Sequence, residues 1–150
     1  MMKKFLLLTL LLIFTASSCG IPKTERRGNA AEILSEILAH FDQGDGFIYT
    51  SEMGAESPLT DAMLARMFPD DGDTADLFCV VSAAVYFSKR FSDREILVLE
   101  LCDISHTELI VRLLQKRAKK KENAVVASDG VYVYLICTDR NEEINRYLKP

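Results

Sequence analysis

Two stretches in the second half of the chain alternate between more and less apolar side chains with a period of two residues. The first runs from Leu77 to Phe91 and the second from Ile96 to Cys102, with Ser92-Asp93 between them as a turn. Successive side chains of a β-strand point to opposite faces of its sheet, so this period predicts two strands. The odd positions of the first stretch are the more apolar, and we expect four of them to face the core: Cys79, Val81, Val85 and Phe87.

A β-hairpin is predicted further along the sequence. Ala124–Ser128 and Val131–Thr138 are apolar-rich segments separated by Asp129-Gly130. An Asp-Gly pair tolerates the positive φ angles of a two-residue type I′ turn. Such a turn would place Val126 opposite Val133 on the neighbouring strand.

Four helices are predicted from stripes of apolar side chains at helical spacing, each preceded by polar residues that can cap it. The first and third have the capping-box pattern, in which a polar cap residue precedes a Glu by three positions. The first helix is predicted to start at Asn29, with Glu32 completing its capping box, and the second at Ser57 or Thr60. The third is predicted to start at Ser105, with Glu108 completing its capping box, and to run to about Lys120; the fourth is predicted to start at Asp139.

The predicted order of elements is helix, helix, strand, strand, helix, strand, strand, helix. It favours an α+β domain of two layers, with a roughly four-stranded, mostly antiparallel sheet and helices packed mainly on one face. This single domain is expected to span residues 29–150, and Phe47 to Thr50 is either a short edge strand or a loop. On an exposed face of the sheet, three tyrosines would be natural contact residues for a partner: Tyr86, Tyr132 and Tyr134.

The first residues form basic, apolar and small-residue regions in the order found in a secretory signal peptide. Lys3 and Lys4 are basic, Phe5–Phe14 is almost wholly apolar, and small residues precede Cys19. Export and cleavage require this order, and the apolar run is shorter than the roughly 20 residues of a transmembrane helix. Small residues directly before a cysteine are typical of a lipobox, whose thiol is lipidated; the alternative is an ordinary signal peptide with a cysteine nearby. We expect a cleaved segment over residues 1–18, a diacylglycerol anchor on Cys19 at the outer face of a bacterial cytoplasmic membrane, and a polar tether over residues 19–28.

The charge of the mature chain is acidic, with one basic exception. Removal of Lys3 and Lys4 leaves 16 basic and 22 acidic side chains, a formal charge of −6. This balance and export both argue against nucleic-acid binding. A basic run near the end of the third helix could contact lipid headgroups, an anionic wall polymer or an acidic envelope protein, or it could be a solvated face that complements the helix dipole. The run comprises Arg112, Lys116, Arg117, Lys119, Lys120 and Lys121.

Three cysteines follow Cys19, and none of them belongs to a C-x-x-C pair. By alternation Cys79 and Cys137 face the core, where they could form a disulfide if their strands are neighbours, or remain buried thiols. Cys102 points to the opposite face and lies four residues before His106. A thiol–imidazole nucleophile pair is therefore one interpretation, and a surface histidine is the other.

The sequence contains none of the catalytic or phosphate-binding motifs G-x-S-x-G, S-x-x-K, H-E-x-x-H, the Walker loop and G-x-G-x-x-G. Asp71-Gly72-Asp73 fails the EF-hand pattern, because Asp76 and Ser82 stand where that loop needs Gly and Glu. We therefore assign no catalytic residue, no cofactor and no metal ligand.

Four segments provide a further signal: SSCG at the end of the predicted signal peptide, LTDAMLARMF, REILVLELCD followed by LIVRLLQKRAKKKEN, and AVVASDGVYVYLICTD. Together they resemble a domain-of-unknown-function family found in small lipoproteins of clostridia-type Gram-positive bacteria. The resemblance extends from about Ala30 to Ile144. It implies an envelope location and the α+β fold, and it implies no activity, because the family has none assigned. In that family the segment between the long helix and the last strand is often longer than the tight hairpin here.

These patterns predict a membrane-anchored extracytoplasmic lipoprotein whose domain is a non-catalytic binding module at the cell envelope. The alternative is an enzyme that acts on envelope components, or by thiol chemistry, through a site that the sequence does not reveal.

Overall fold

The computed structural model describes residues 27–68, 74–89 and 93–149. Over these ranges the chain forms a five-stranded antiparallel sheet and four α-helices, which confirms the predicted α+β class. The strands are β1 (Gly46–Thr50), β2 (Val80–Ser88), β3 (Glu95–Leu101), β4 (Val125–Asp129) and β5 (Tyr132–Cys137). The helices are α1 (Ala30–His40), α2 (Asp61–Arg66), α3 (Thr107–Ala118) and α4 (Asn141–Leu148), and two short 3₁₀ turns cover Thr74–Cys79 and Ile104–His106.

The sheet has the strand order β1-β2-β3-β5-β4, so the prediction of four strands was wrong by one. The extra strand is β1, which pairs with β2 along the edge of the sheet and matches the edge-strand alternative for this segment. The outer side of β1 is covered at its end, where Leu59 N–H donates to the Thr50 carbonyl at 2.7 Å. Since β5 lies between β3 and β4, these two strands run parallel, and α3 connects them.

Helices cover both faces of the sheet, so the predicted two-layer arrangement was also wrong. On one face α1 and α4 pack against Tyr86, Val98 and Tyr134, and on the other α2 and α3 pack against Leu97 and Leu135. All residues of β3 and β5 are buried. A strand that is apolar on both sides must be covered on both sides, because either exposed face would leave a large apolar surface in water.

The first helix begins as predicted. The Asn29 side chain accepts from Glu32 N–H while the Glu32 carboxylate accepts from Asn29 N–H, and this reciprocal pair is a complete capping box. The capping box predicted at Ser105 is not formed, because His106 occupies the cap position of α3 without a side-chain hydrogen bond. Asp103 instead accepts from Ser105 N–H and caps the 3₁₀ turn that precedes α3.

The β4–β5 hairpin is present, but its register differs from the predicted one by two residues. Val126 lies opposite Leu135 rather than Val133, and the two turn residues are Gly130 and Val131. Gly130 has a positive φ of 57° at the first turn position, and the Val131 carbonyl accepts from Leu101 N–H on β3 at 2.8 Å. A shift of two residues preserves the side-chain period, so every side chain of the hairpin keeps its predicted face.

The first described residues lie at one end of the sheet. Ala30 N–H donates to Ser82 Oγ at 2.9 Å, and the Tyr132 hydroxyl donates to the Gly28 carbonyl at 2.7 Å. Ser82 and Tyr132 are both opposite Glu100, near the end of β3. We call this the proximal end of the sheet, and we call the other end, where β3 begins at Glu95, the distal end.

Candidate functional site

The basic run lies on the last turns of α3 and just beyond it, at the distal end of the sheet. Arg112, Lys116, Lys119 and Lys120 are exposed, whereas only 18% of the Arg117 side chain and 16% of the Lys121 side chain are exposed. The six residues therefore do not form one uniform surface.

Arg117 and Lys121 bind a buried carboxylate. The Glu95 side chain has no exposed surface, and it accepts two hydrogen bonds from Arg117, at 3.0 Å from Nε and 2.9 Å from Nη2. Lys121 Nζ lies 2.8 Å from the same carboxylate. The remaining Arg117 nitrogen, Nη1, donates to the Met67 carbonyl at 3.0 Å, just beyond α2. This cluster joins α3 to the sheet and to α2, so two of the six cations have a structural role.

The other four cations form the basic surface of α3: Arg112, Lys116, Lys119 and Lys120. The last two lie at the C-terminal end of the helix, where positive charge complements the helix dipole. Beside them is a shallow groove of about 290 Å³, lined by Gln115, Ala118, Lys119, Ala124 and Val126. The surface thus combines exposed, positively charged side chains with a small, partly apolar depression.

The cysteines do not form the disulfide considered from the sequence. Cys79 precedes β2 and lies beside the end of β3, where its carbonyl accepts from Cys102 N–H at 2.8 Å. Cys137 lies opposite Glu95, at the beginning of β3. The length of β3 separates the two by roughly 20 Å, whereas a disulfide needs Cα atoms about 4.4–6.8 Å apart. Both side chains are buried thiols, and burial raises the pKa of Cys137.

Cys102 and His106, which the sequence offered as a thiol–imidazole pair, each have a different local environment in the structure. Cys102 is an exposed thiol at the end of β3. The His106 ring packs edge-on against Phe78, with 5.7 Å between the ring centroids. Within the described ranges the Cys102 thiol makes no hydrogen bond to His106.

The three tyrosines expected on an exposed face are buried. Tyr86, Tyr132 and Tyr134 have at most 2% of their surface exposed, because α1 and α4 cover that face. The Tyr86 hydroxyl donates to the Gln43 carbonyl at 2.9 Å, and the Tyr132 hydroxyl donates to the Gly28 carbonyl at 2.7 Å. Tyr86 and Tyr132 thus fasten chain segments around α1, and none of the three can contact a partner.

An exposed apolar surface at the proximal end was not predicted. Phe78, Ile104 and Val81 are 75%, 59% and 54% exposed, and Met53 is fully exposed. We call these four residues the proximal apolar patch. Val81 was expected to face the core, but the pairing of β2 with β3 is interrupted between Val80 and Ser82, and this bulge turns Val81 outward. No sequence signal marks such a bulge.

Several remaining predictions concern residues without a described structure. Cys19, the predicted signal peptide and most of the predicted tether lie outside the described residues, as does Asp71-Gly72-Asp73. Among the residues that are described, no group of three or more His, Cys, Asp or Glu side chains could hold a metal ion. In the same part of the chain, no helix has the length and apolar character needed to cross a membrane.

No family model, no curated protein and no solved structure matches this chain.

Proposed function

We propose that this protein is an extracytoplasmic lipoprotein, anchored through Cys19 to the outer face of a bacterial cytoplasmic membrane, whose domain binds an acidic partner at the cell envelope. The anchor is supported by the basic, apolar and small segments that precede Cys19. A diacyl group would hold the protein more stably than a single acyl chain, which anchors only marginally.

The observation that carries the binding proposal is the position of the basic surface of α3 relative to the start of the domain. Gly28 and Ala30 are fastened at the proximal end, and Lys119 and Lys120 follow α3 at the distal end. A chain anchored through Cys19 would therefore hold its proximal end toward the bilayer and its basic end toward the cell wall.

The chemistry of the basic surface indicates what the partner carries. Lysine side chains are compact, strongly hydrated charges on flexible stems, so they suit carboxylate or phosphate groups that are repeated along a polymer or a protein surface. Because exposed charges are screened at physiological ionic strength, we expect the binding to weaken as salt increases.

The test is a crosslinking pull-down from intact cells that compares the wild type with the double variant Lys119→Gln, Lys120→Gln. Both residues are exposed and neither contacts Glu95 in the ion cluster, so the substitutions leave the buried cluster unchanged. The matched control is Arg146→Gln, Lys149→Gln, which removes the same charge from exposed positions at the end of α4.

A specific partner that is captured by the wild type and the control, and is lost from the α3 variant, would support the proposal. Equal capture by all three proteins would exclude the basic surface as the binding site. Capture of no partner by any of them would contradict the proposal of a binding module.

A further inference from the structure

We propose that the proximal apolar patch rests on the lipid bilayer and inserts Phe78 and Ile104 into its interfacial region. This inference rests on the proposed anchoring through Cys19, and it adds a second contact between the protein and the membrane. The patch would hold the domain in one orientation, with the basic surface of α3 directed outward.

Phe78 and Ile104 of the patch lie on two adjoining segments. Phe78 lies in the first 3₁₀ turn and contacts His106, which ends the 3₁₀ turn that begins with Ile104. The hydrogen bond from Cys102 N–H to the Cys79 carbonyl joins these segments through the backbone. Large apolar side chains that are exposed together on a folded domain mark a contact surface, because water disfavours each of them.

The position at which the chain enters the domain supports the lipid bilayer as the surface that covers the patch. Asn29 donates from its side-chain amide to Glu52 at 2.6 Å, so the chain enters the domain next to Met53. Eight residue steps separate Cys19 from Arg27. Fully extended, they reach at most about 28 Å, little more than the ~23 Å length of β3. An anchor on Cys19 would therefore hold the first described residues within about 28 Å of the bilayer.

Charged groups border the patch. Asp103 and Glu52 are exposed carboxylates, each with a hydrogen-bond donor within the domain. An apolar centre with a charged border fits the boundary between acyl chains and headgroups, where aromatic and aliphatic side chains enter and charges remain hydrated. Because carboxylates border the patch, the appropriate probe lipid is phosphatidylcholine, which is zwitterionic and has no net charge.

The experiment uses the full-length product isolated from membranes with its anchor and reconstituted into phosphatidylcholine vesicles. Cys102 provides the labelling site, because it is the exposed thiol beside Ile104, whereas Cys79 and Cys137 are buried. An environment-sensitive fluorophore on Cys102 is expected to shift its emission to the blue and to be quenched by nitroxide-labelled lipid. The same fluorophore on the variant Cys102→Ser, Lys119→Cys reports from the distal end and is expected to show neither effect.

A pair of matched variants tests the side chains themselves. Phe78→Ser, Ile104→Ser should abolish the quenching of the Cys102 label. Phe47→Ser, Ile48→Ser changes the same residue types at exposed positions of β1, 51% and 46% exposed, and should leave the quenching unchanged.

Vesicle flotation separates the two proposals. If the wild type floats with the vesicles and its Cys102 label is neither shifted nor quenched, the patch does not contact the bilayer and only the anchoring proposal survives. The same conclusion follows if Phe78→Ser, Ile104→Ser retains full quenching. If the wild type does not float, the anchoring proposal fails, and this inference fails with it.

Discussion

Glu95 and Arg117 form a bidentate ion pair in the interior of the protein, with distances of 3.0 and 2.9 Å between the guanidinium nitrogens and the carboxylate oxygens. Lys121 completes the cluster from the segment that follows α3. In the sequence, Arg117 and Lys121 were indistinguishable from the exposed lysines around them. The pair shows that a buried acid on β3 gives Arg117 and Lys121 a structural role within the basic run.

The first prediction concerns the stability of this cluster. Arg117→Met removes the bidentate partner of Glu95 and leaves its buried charge with Lys121 alone. We expect the free energy of unfolding to fall by about 3 kcal/mol, because a buried charge that loses its partner is costly. Urea unfolding measures the change, and Lys119→Met, an exposed position, is the matched control that should alter it by less than about 0.5 kcal/mol. Equal effects of the two variants would show that the cluster does not stabilise the fold.

The second prediction compares two buried tyrosine hydroxyls. Tyr86→Phe removes a hydrogen bond to the Gln43 carbonyl and should lower the free energy of unfolding by about 1 kcal/mol. Tyr134→Phe should lower it less than Tyr86→Phe does, because the Tyr134 hydroxyl is buried and makes no direct hydrogen bond to a residue in the described ranges. Urea unfolding at neutral pH measures both, and a larger loss in Tyr134→Phe would contradict this reading of the two hydroxyls.

The third prediction concerns alkaline pH. Burial raises the pKa of the Tyr134 hydroxyl well above its ordinary value of about 10. The folded state therefore favours the neutral phenol, whereas the unfolded chain ionises near the ordinary value. This contribution to stability is fully present below about pH 10 and is lost as the pH rises toward the pKa of the folded state. Tyr134→Phe should consequently unfold at a higher pH than the wild type, and an unchanged alkaline midpoint would refute the assignment.

The fourth prediction concerns the thiols. In the native protein Cys102 should react rapidly with a thiol reagent, whereas Cys79 and Cys137 should be protected by burial. Denaturation without a reductant should make all three reactive. If only one thiol appears after denaturation, two of the cysteines are bridged, and Cys79 with Cys102 is the pair that the strand register places side by side.

The fifth prediction concerns the anchor. Cys19→Ala should abolish incorporation of an alkyne fatty acid and release the protein from the membrane fraction, because we propose that the lipid is attached to that thiol. Cys102→Ala is the matched control and should retain both the label and the membrane association. Persistence of the label in Cys19→Ala would place the lipid elsewhere and exclude the proposed lipobox.

Local sequence patterns correctly indicated the elements whose cause is local. The alternation over β2 and β3, the capping box of Asn29 with Glu32, and the presence of a hairpin at Gly130 all depend on residues that are close together in the sequence. The period of the side chains and the geometry of a helix cap are properties of short segments, so the sequence alone determines them.

The tertiary structure alone decided which surfaces are exposed. Alternation assigned Tyr86 and Tyr134 to one face of the sheet, but only the packing of α1 and α4 shows that this face is buried. Likewise, the outward position of Val81 depends on an interruption in the pairing of β2 with β3. Each of these results depends on contacts between segments that are distant in the sequence, and no periodicity within a single segment encodes the position of its neighbour.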